Sequence, residues 1–308
     1  PHLTAIARHM GIDFGIDNWE KLGHDIPLLV NCQPAGEYLM EGFFKAGGIP
    51  AIMQELMKNN KLHKDLMTVT GKTIAENLIE KIDIDENIIK SFKNPLVNNA
   101  GFIVMRSNFF NSAVMKTSVI SSEFRKRYLS NPTSLNLFEA NAVVFEGPED
   151  YHLRINDESL NIDENSILMI RGCGPVGYPG SAEVVNMQPP DKLLKQGINT
   201  LPTLGDGRQS GTSESPSILN VSPESAIGGS LLIVETGDKI KIDLNNSRID
   251  LMISSEEIEK RRKKVKIPKL ENQTPWQEIS RKMVGQLETG ACLETETLYL
   301  DITNTKGI

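Results

Sequence analysis

The sequence predicts an α/β protein in which a helical first part precedes a β-barrel domain with peripheral helices. Apolar residues recur at three- and four-residue steps between residues 1 and about 92, which is typical of helices. Beyond about residue 98 the apolar residues form short runs of strand length, and helical character returns from about 254 to 286. Many short strands with few helices between them favour a barrel or curled sheet over a doubly wound fold.

Composition and charge exclude several classes of protein. The 308 residues suggest two domains at roughly 150 residues each. The 33 basic and 40 acidic residues give a net charge of −7, which argues against general affinity for nucleic acid or anionic membranes. No apolar run approaches the roughly 18 residues of a membrane span. The 3 cysteines have no CxxC spacing, so we expect a reducing, cytoplasmic location.

The first part of the chain contains clear helix signals. Residues 37–44 carry apolar side chains at helical spacing, and the pair Gly47-Gly48 interrupts this pattern. A second helix is expected over 49–57, with a proline in its first turn. Thr73 and Glu76 have the spacing of a capping box, in which each side chain accepts from the other residue's backbone.

The second part of the chain is rich in candidate strands. Turn-forming residues such as Gly237-Asp238 and Asn245-Asn246 separate short apolar runs. The predicted strands cover residues 102–105, 113–115, 142–145, 166–170, 231–234, 239–242 and 249–253.

One glycine-rich segment has the form of a nucleotide-binding motif. Residues 172–177 spell GxGxxG directly after a predicted strand. A dinucleotide site needs this turn to open a helix, and Pro175 together with Pro179-Gly180 opposes a continuous helix. An irregular loop near a site is the favoured interpretation, and a nucleotide-binding oxidoreductase is a weaker alternative.

Three other motifs have simple structural explanations. Gly71-Lys72-Thr73 lacks the first glycine of a phosphate loop, since position 66 is Leu. Residues 207–211 miss the GxSxG pattern by one position, and the last histidine, His152, precedes them. The basic run 260–264 follows several glutamates and is expected to close a solvated helix. Cysteines are most often small buried side chains, which we expect here.

Seven phrases of sequence are distinctive as a set. They occupy 31–38 (NCQPAGEY), 46–50 (AGGIP), 71–77 (GKTIAEN), 144–150 (VFEGPED), 174–180 (GPVGYPG), 205–212 (GDGRQSGT) and 223–229 (PESAIGG). Together they resemble the family of dihydroxyacid and sugar-acid dehydratases, which remove water from 2,3-dihydroxy carboxylates. The resemblance covers nearly the whole chain, and residues 182–190, 273–279 and 283–290 resemble its pentonate branch.

The resemblance implies a domain organisation. Family members are about twice as long as this chain, so we expect it to be the carboxyl-terminal half of an enzyme that is incomplete without the other half. Residues 1–95 would be the end of an α/β/α cluster-binding domain, with Asn94-Pro95 at the boundary. Residues 96–308 would be the β-barrel domain.

The resemblance also implies a reaction, the dehydration of a pentonate such as D-xylonate to a 2-keto-3-deoxy acid. Removing a proton next to a carboxylate creates a high-energy dianion, which a divalent cation stabilises, and a second Lewis acid helps the 3-hydroxyl leave. In the family these are Mg²⁺ and an iron–sulfur cluster. The cluster-binding cysteines and the remaining metal ligands are expected in the amino-terminal half.

Four residues of this chain match site positions of the family. Glu183 matches the glutamate that binds Mg²⁺, and Ser210 matches the serine base. Gly211 and Thr212 follow, and we expect their donors to bind the substrate carboxylate. Without the resemblance, Glu183 would be interpreted as a surface glutamate and Ser210 as a turn serine. Glu214 departs from the family pattern, where a small residue is expected.

The sequence is compatible with several alternatives. The expected partner is a small-molecule sugar acid, with neither nucleic acid nor membrane, and the full-length protein is expected to be a homodimer or homotetramer. One alternative within the same family is an enzyme that acts on branched dihydroxyacids or on 6-phosphogluconate. A non-catalytic barrel domain that binds a partner or metabolite is an alternative of another class.

Overall fold

A computed structural model of the chain describes residues 1–181, 187–208, 217–271 and 274–295. The chain divides into two compact units. The barrel unit comprises Pro1–Gly23 and Phe102–Ile308, and the helical unit comprises His24–Gly101. The predicted domains, 1–95 and 96–308, stay a prediction.

Among the described residues, five helices precede the first strand, and the remaining helices lie between or after the strands. The helices are α1 (His2–His9), α2 (Ile16–Gly23), α3 (Met40–Lys45), α4 (Gly48–Lys58), α5 (Ile74–Asn77), α6 (Ser122–Phe124), α7 (Pro148–Arg154), α8 (Asp191–Leu194), α9 (Ser255–Arg262) and α10 (Pro275–Met283). The strands are β1 (Phe102–Met105), β2 (Ser112–Lys116), β3 (Leu137–Phe145), β4 (Ser166–Ile170), β5 (Thr203–Gly205), β6 (Ser217–Ser222), β7 (Lys239–Asp243) and β8 (Arg248–Leu251). No helix among these described residues is long and apolar enough to cross a membrane.

The helical unit forms where the sequence signals are local. The predicted helices correspond to α3 and α4, and Gly47 separates them with a φ of +113°, a value that favours glycine. The predicted capping box is confirmed: Thr73 N donates to Glu76 Oε2 at 2.7 Å, and Glu76 N donates to Thr73 Oγ1 at 3.2 Å. Buried residues such as Phe43 and Ile89 form the core of this unit.

The strands of the barrel unit form one eight-stranded sheet, in the order β1-β2-β6-β5-β4-β3-β7-β8. The four central strands β3, β4, β5 and β6 are parallel, and the remaining pairs are antiparallel. Arg106 N donates to Ser247 O at 2.9 Å, and Ile249 N donates to Arg106 O at 2.9 Å, so the chain just after β1 contacts the edge strand β8. The sheet is therefore nearly closed, and the predicted α/β fold with a barrel is confirmed.

Alternation along each strand creates an interior and an exterior core. In β4, Ile167 and Met169 belong to the interior cluster, whereas Leu168 and Ile170 belong to a second cluster outside the barrel. Burial on both faces explains why β4 is apolar throughout. The interior cluster includes residues from every strand: Met105, Met115, Ala142, Val144, Ile167, Met169, Leu204, Ile218, Ile240 and Ile249.

The barrel unit differs from one expectation and agrees with another. The predicted strand 231–234 is wrong, because the chain forms a 3-10 turn over Ser230–Ile233 that buries Leu231 and Ile233. Periodicity alone does not distinguish a buried strand from a buried turn of helix in so short a run. The basic run closes α9 as expected: Arg261 donates to Asp238 Oδ2 at 2.6 Å, and Arg262 pairs with Glu259 at 2.8 Å.

Candidate functional site

The four parallel strands end at the same edge of the barrel. Because β3, β4, β5 and β6 run in one direction, the segments that follow them leave from neighbouring positions. Described residues of four of the distinctive phrases meet this edge, since 144–150, 174–180, 205–208 and 223–229 each span or follow one of these strand ends. We take this edge as the candidate site.

A buried carboxylate connects three of these segments. Asp206 follows β5 and is 0% exposed. Its Oδ1 accepts from Cys173 N at 2.9 Å, and its Oδ2 accepts from Gly172 N at 3.0 Å and from Ser225 N at 2.8 Å. The side chain therefore holds the segments after β4 and β6 against the segment after β5.

A second buried carboxylate, Glu224, holds the glycine-rich loop. Its Oε1 accepts from Val176 N at 2.9 Å, and its Oε2 accepts from Gly177 N at 2.9 Å. Gln286 completes the set, because its Nε2 donates to Glu224 Oε1 at 2.8 Å and its Oε1 accepts from Glu224 N at 2.9 Å. Burial raises the pKa of Glu224, and the neighbouring charge of Asp206 adds to this, although the N–H donors oppose the shift.

The GxGxxG segment packs around Glu224. A side chain at Gly174 would place its Cβ 2.6 Å from the Cβ of Glu224, and one at Gly177 would lie 2.7 Å from the carbonyl carbon of Gly172. No helix begins within the described residues 171–181, so the segment is an irregular loop, as expected. These glycines are explained by close packing, which removes the main support for a dinucleotide site.

A cavity of about 410 Å³ lies beside this loop in the barrel unit. Its walls include Tyr178 and Ser181 of the loop, Arg208 after β5, and Gln277 and Arg281 of α10. The described residues that line it include these two arginines and no acidic side chain, so its charge suits an anionic ligand.

Arg208 fixes one wall of the cavity. Its Nε donates to Ser181 O at 2.7 Å, and its Nη1 lies 3.1 Å from Nε2 of His2. Arg281, on the last turns of α10, donates from Nη1 to Glu271 O at 2.8 Å. Both guanidinium groups are therefore oriented by the chain itself.

The four predicted site residues Glu183, Ser210, Gly211 and Thr212 lie outside the described residues, as does Glu214. Their positions are known only along the chain. Residues 182–186 directly follow Ser181, and residues 209–216 directly follow Arg208, and both of these described neighbours line the cavity. The roles of the four residues stay predictions.

The described residues fit neither an iron–sulfur cluster nor a complete magnesium site. No group of three or more His, Cys, Asp or Glu side chains among them is arranged to hold a metal ion. Cys32, Cys173 and Cys292 are buried, as expected of small apolar side chains. Burial, with a further contribution from Asp206, raises the pKa of the Cys173 thiol strongly, which disfavours the thiolate that binds metals.

The supporting residues were not identified from the sequence. Asp206 and Glu224 stand inside phrases that carry the resemblance, but a lone acid among glycines gives no sign that it will accept backbone N–H groups. Gln286 is distant from both in the sequence, and only the fold brings it to Glu224.

Comparison with known proteins assigns the family. Residues 1–77 match the family model described as dihydroxy-acid/6-phosphogluconate dehydratase N-terminal, and residues 87–291 match the corresponding C-terminal model. The chain is a member of the dihydroxy-acid/6-phosphogluconate dehydratase family, as the resemblance implied.

Individual members of the family show which dehydratases the chain is similar to. The chain is 55% identical over 303 residues to a D-xylonate dehydratase of Caulobacter vibrioides, which covers 98% of this chain and 51% of that protein. It is 42% identical over 261 residues to an L-arabinonate dehydratase of Rhizobium leguminosarum bv. trifolii, covering 84% and 43%. A dihydroxy-acid dehydratase of Acetivibrio thermocellus is 34% identical over 297 residues, covering 96% and 51%. The chain thus spans about half the length of the curated relatives it matches.

Proposed function

We propose that the protein is a hydro-lyase that dehydrates a sugar acid, D-xylonate in the first place, to a 2-keto-3-deoxy acid. The observation that carries this proposal is the 55% identity to a D-xylonate dehydratase over 98% of the chain. The cavity supports this proposal, because a cavity lined by Arg208 and Arg281 suits a carboxylate ligand.

The proposed chemistry assigns a role to each predicted residue of the chain. Ser210, as an alkoxide, takes the proton from C2 of the substrate, and the electron pair of the C2–H bond forms a C2=C3 bond as the C3–O bond breaks. The departing 3-hydroxyl receives this proton from Ser210, so the H of C2 and the OH of C3 leave as one water molecule and the alkoxide is regenerated. The resulting enol then becomes the 2-keto-3-deoxy acid. Gly211 and Thr212 donate hydrogen bonds to the substrate carboxylate, which holds C2 in reach of Ser210.

Mg²⁺ and an iron–sulfur cluster are proposed as the Lewis acids of the intact enzyme, which would stabilise the developing negative charge and the leaving hydroxyl. In this chain Glu183 is proposed as one Mg²⁺ ligand, since its carboxylate is a hard oxygen donor. No ligand of the iron–sulfur cluster is assigned to this chain, because its described cysteines do not fit that role.

The experiment compares Ser210→Ala with Ser91→Ala in the full-length protein. Ser91 is exposed in the helical unit and is the matched control. Keto-acid formation should fall by at least about 100-fold in Ser210→Ala, the lower limit for loss of a general base. Metal content should be equal in both variants, and wild-type rates in Ser210→Ala would remove Ser210 from the mechanism.

A panel of substrates tests the assigned substrate class. The 42% identity to an L-arabinonate dehydratase makes L-arabinonate the second candidate. Turnover of D-xylonate, L-arabinonate, gluconate and 2,3-dihydroxyisovalerate should be highest for the two pentonates. Preference for 2,3-dihydroxyisovalerate would contradict the proposal.

We also propose that the full-length protein is a homodimer or homotetramer, which gel filtration of the same preparation would test. A cytoplasmic location is proposed as well.

A further inference from the structure

Ser181 combines three features that are unusual together. It is 5% exposed, it lines the cavity, and its hydroxyl has no hydrogen-bond partner in the part of the chain that the structure describes. Buried hydroxyl groups nearly always have a partner, because leaving one unpaired is unfavourable. A ligand in the adjacent cavity can supply that partner.

The backbone of Ser181 also indicates that its side chain is retained for a reason. Its φ is +59°, in the left-handed region that favours glycine, and the preceding Gly180 also has a positive φ of 85°. A second glycine would adopt this conformation without strain. Non-glycine residues in such conformations cluster at functional sites.

The main chain of Ser181 is fixed on both sides. Its N–H donates to Cys173 O at 3.0 Å, and its carbonyl accepts from Arg208 Nε at 2.7 Å. Cys173 is in turn held by the buried carboxylate of Asp206 at 2.9 Å. Only rotations about the Cα–Cβ and Cβ–Oγ bonds are left to the side chain, so its hydroxyl can reorient toward a ligand at little entropic cost.

We propose that Ser181 is a specificity-determining residue whose hydroxyl hydrogen-bonds to a hydroxyl group of a sugar acid bound in the cavity. The proposal rests on the proposed function, since it takes the sugar acid as the ligand. Ser181 is distinct from Glu183, Ser210, Gly211 and Thr212, and its contact would select polyhydroxylated acids over apolar ones of similar length.

The chain contains a matched control for this proposal. Ser225 is the other described residue with a buried and unpartnered hydroxyl, and it is not among the described residues that line the cavity. Its N–H, which donates to Asp206, is kept in Ser225→Ala. Both Ser181→Ala and Ser225→Ala remove an unpaired buried hydroxyl and keep the Cβ, so both variants should fold with an unchanged or raised Tm.

The experiment measures kinetics and ligand-induced stabilisation in the full-length protein. In Ser181→Ala, KM for D-xylonate should rise between about three- and tenfold, as expected for one lost neutral hydrogen bond. The increase in Tm on adding D-xylonate should shrink in parallel, while kcat changes little. Ser225→Ala should match the wild type in all three measurements.

The outcomes separate the two proposals. Turnover by the wild type with an unchanged KM and Tm response in Ser181→Ala would overturn the role of Ser181 and leave the proposed function intact. Equal losses in Ser181→Ala and Ser225→Ala would also overturn it, because they would report a general packing effect. If the wild type neither binds nor converts any sugar acid, the proposed function fails and this assignment fails with it.

Discussion

At the scale of single residues, the site edge depends on carboxylates that accept hydrogen bonds from the chain itself. Asp206 receives three backbone N–H groups from two different segments, and Glu224 receives two N–H groups and an amide donor. A carboxylate is suited to this work because both of its oxygens accept and neither donates. These acids hold loops in place, and the described structure gives them no other partner to bind.

Replacing Asp206 with asparagine tests this interpretation. An amide keeps the size of the side chain but turns one oxygen into an NH₂ group, which must face at least one of the three N–H donors. The buried donor left unpaired should lower the free energy of unfolding by about 1–3 kcal/mol. Urea denaturation of Asp206→Asn measures this loss.

The exposed Asp13 provides the comparison for Asp206. Asp13→Asn makes the same chemical change in the barrel unit without a buried set of donors, so its stability should match the wild type within about 0.5 kcal/mol. Equal stability of the two variants would show that the N–H bonds to Asp206 contribute nothing measurable.

At the scale of elements, α10 forms a wall of the cavity and depends on a local cap. Thr274 Oγ1 accepts from Gln277 N at 3.2 Å, and Gln277 Oε1 accepts from Thr274 N at 3.0 Å, which is a capping box. Gln277 and Arg281 both line the cavity from this helix. The start of α10 is therefore coupled to the geometry of the site.

Removing this cap should affect ligand binding more than fold. Thr274→Ala should destabilise the helix by about 0.5–2 kcal/mol and raise KM for a sugar acid, because the first turn of α10 frays beside the cavity. Steady-state kinetics measure KM, and thermal unfolding measures stability. Thr274→Ser keeps a hydroxyl that can cap the helix, so its KM and its stability should both match the wild type.

The capping box of α5 is the natural control for this prediction. Thr73→Ala removes the equivalent side-chain cap, in which Thr73 Oγ1 accepts from Glu76 N, in the helical unit, where neither residue of the box lines the cavity. It should reduce stability by a similar amount and leave KM unchanged. A rise in KM in both variants would show that general loss of stability, and not the wall of the cavity, controls binding.

The same elements show how far the sequence predicts the structure. Thr73 and Glu76 were identified because a capping box is defined by residues three positions apart, so its signal is local. Strand β5 was not predicted, since its three residues include a single large apolar side chain and its stability comes from pairing with β4 and β6. Likewise the family was readable from phrases of sequence, whereas Ser181 became a candidate only through its burial and its unpaired hydroxyl.

At the scale of the whole barrel unit, the mixture of strand directions explains where the site lies. A purely antiparallel barrel would distribute connections over both edges, but four consecutive parallel strands place four segments at one edge. Asp206 and Glu224 then tie these segments to each other. The barrel is thus a rigid support for loops that carry the distinctive phrases of the sequence.

The 308 residues prepared alone are expected to bind little iron and to form no keto acid from D-xylonate. The described residues contain no group of three metal-binding side chains, and burial disfavours the thiolate of Cys173. Iron should be quantified after anaerobic incubation with iron and sulfide, together with a keto-acid assay in the presence of Mg²⁺. The D-xylonate dehydratase of Caulobacter vibrioides, whose chain is about twice as long, is the positive control for turnover. A stoichiometric cluster with turnover in the 308-residue chain would show that its own residues complete the site, and the assignment of Cys32, Cys173 and Cys292 as buried structural thiols would then be wrong.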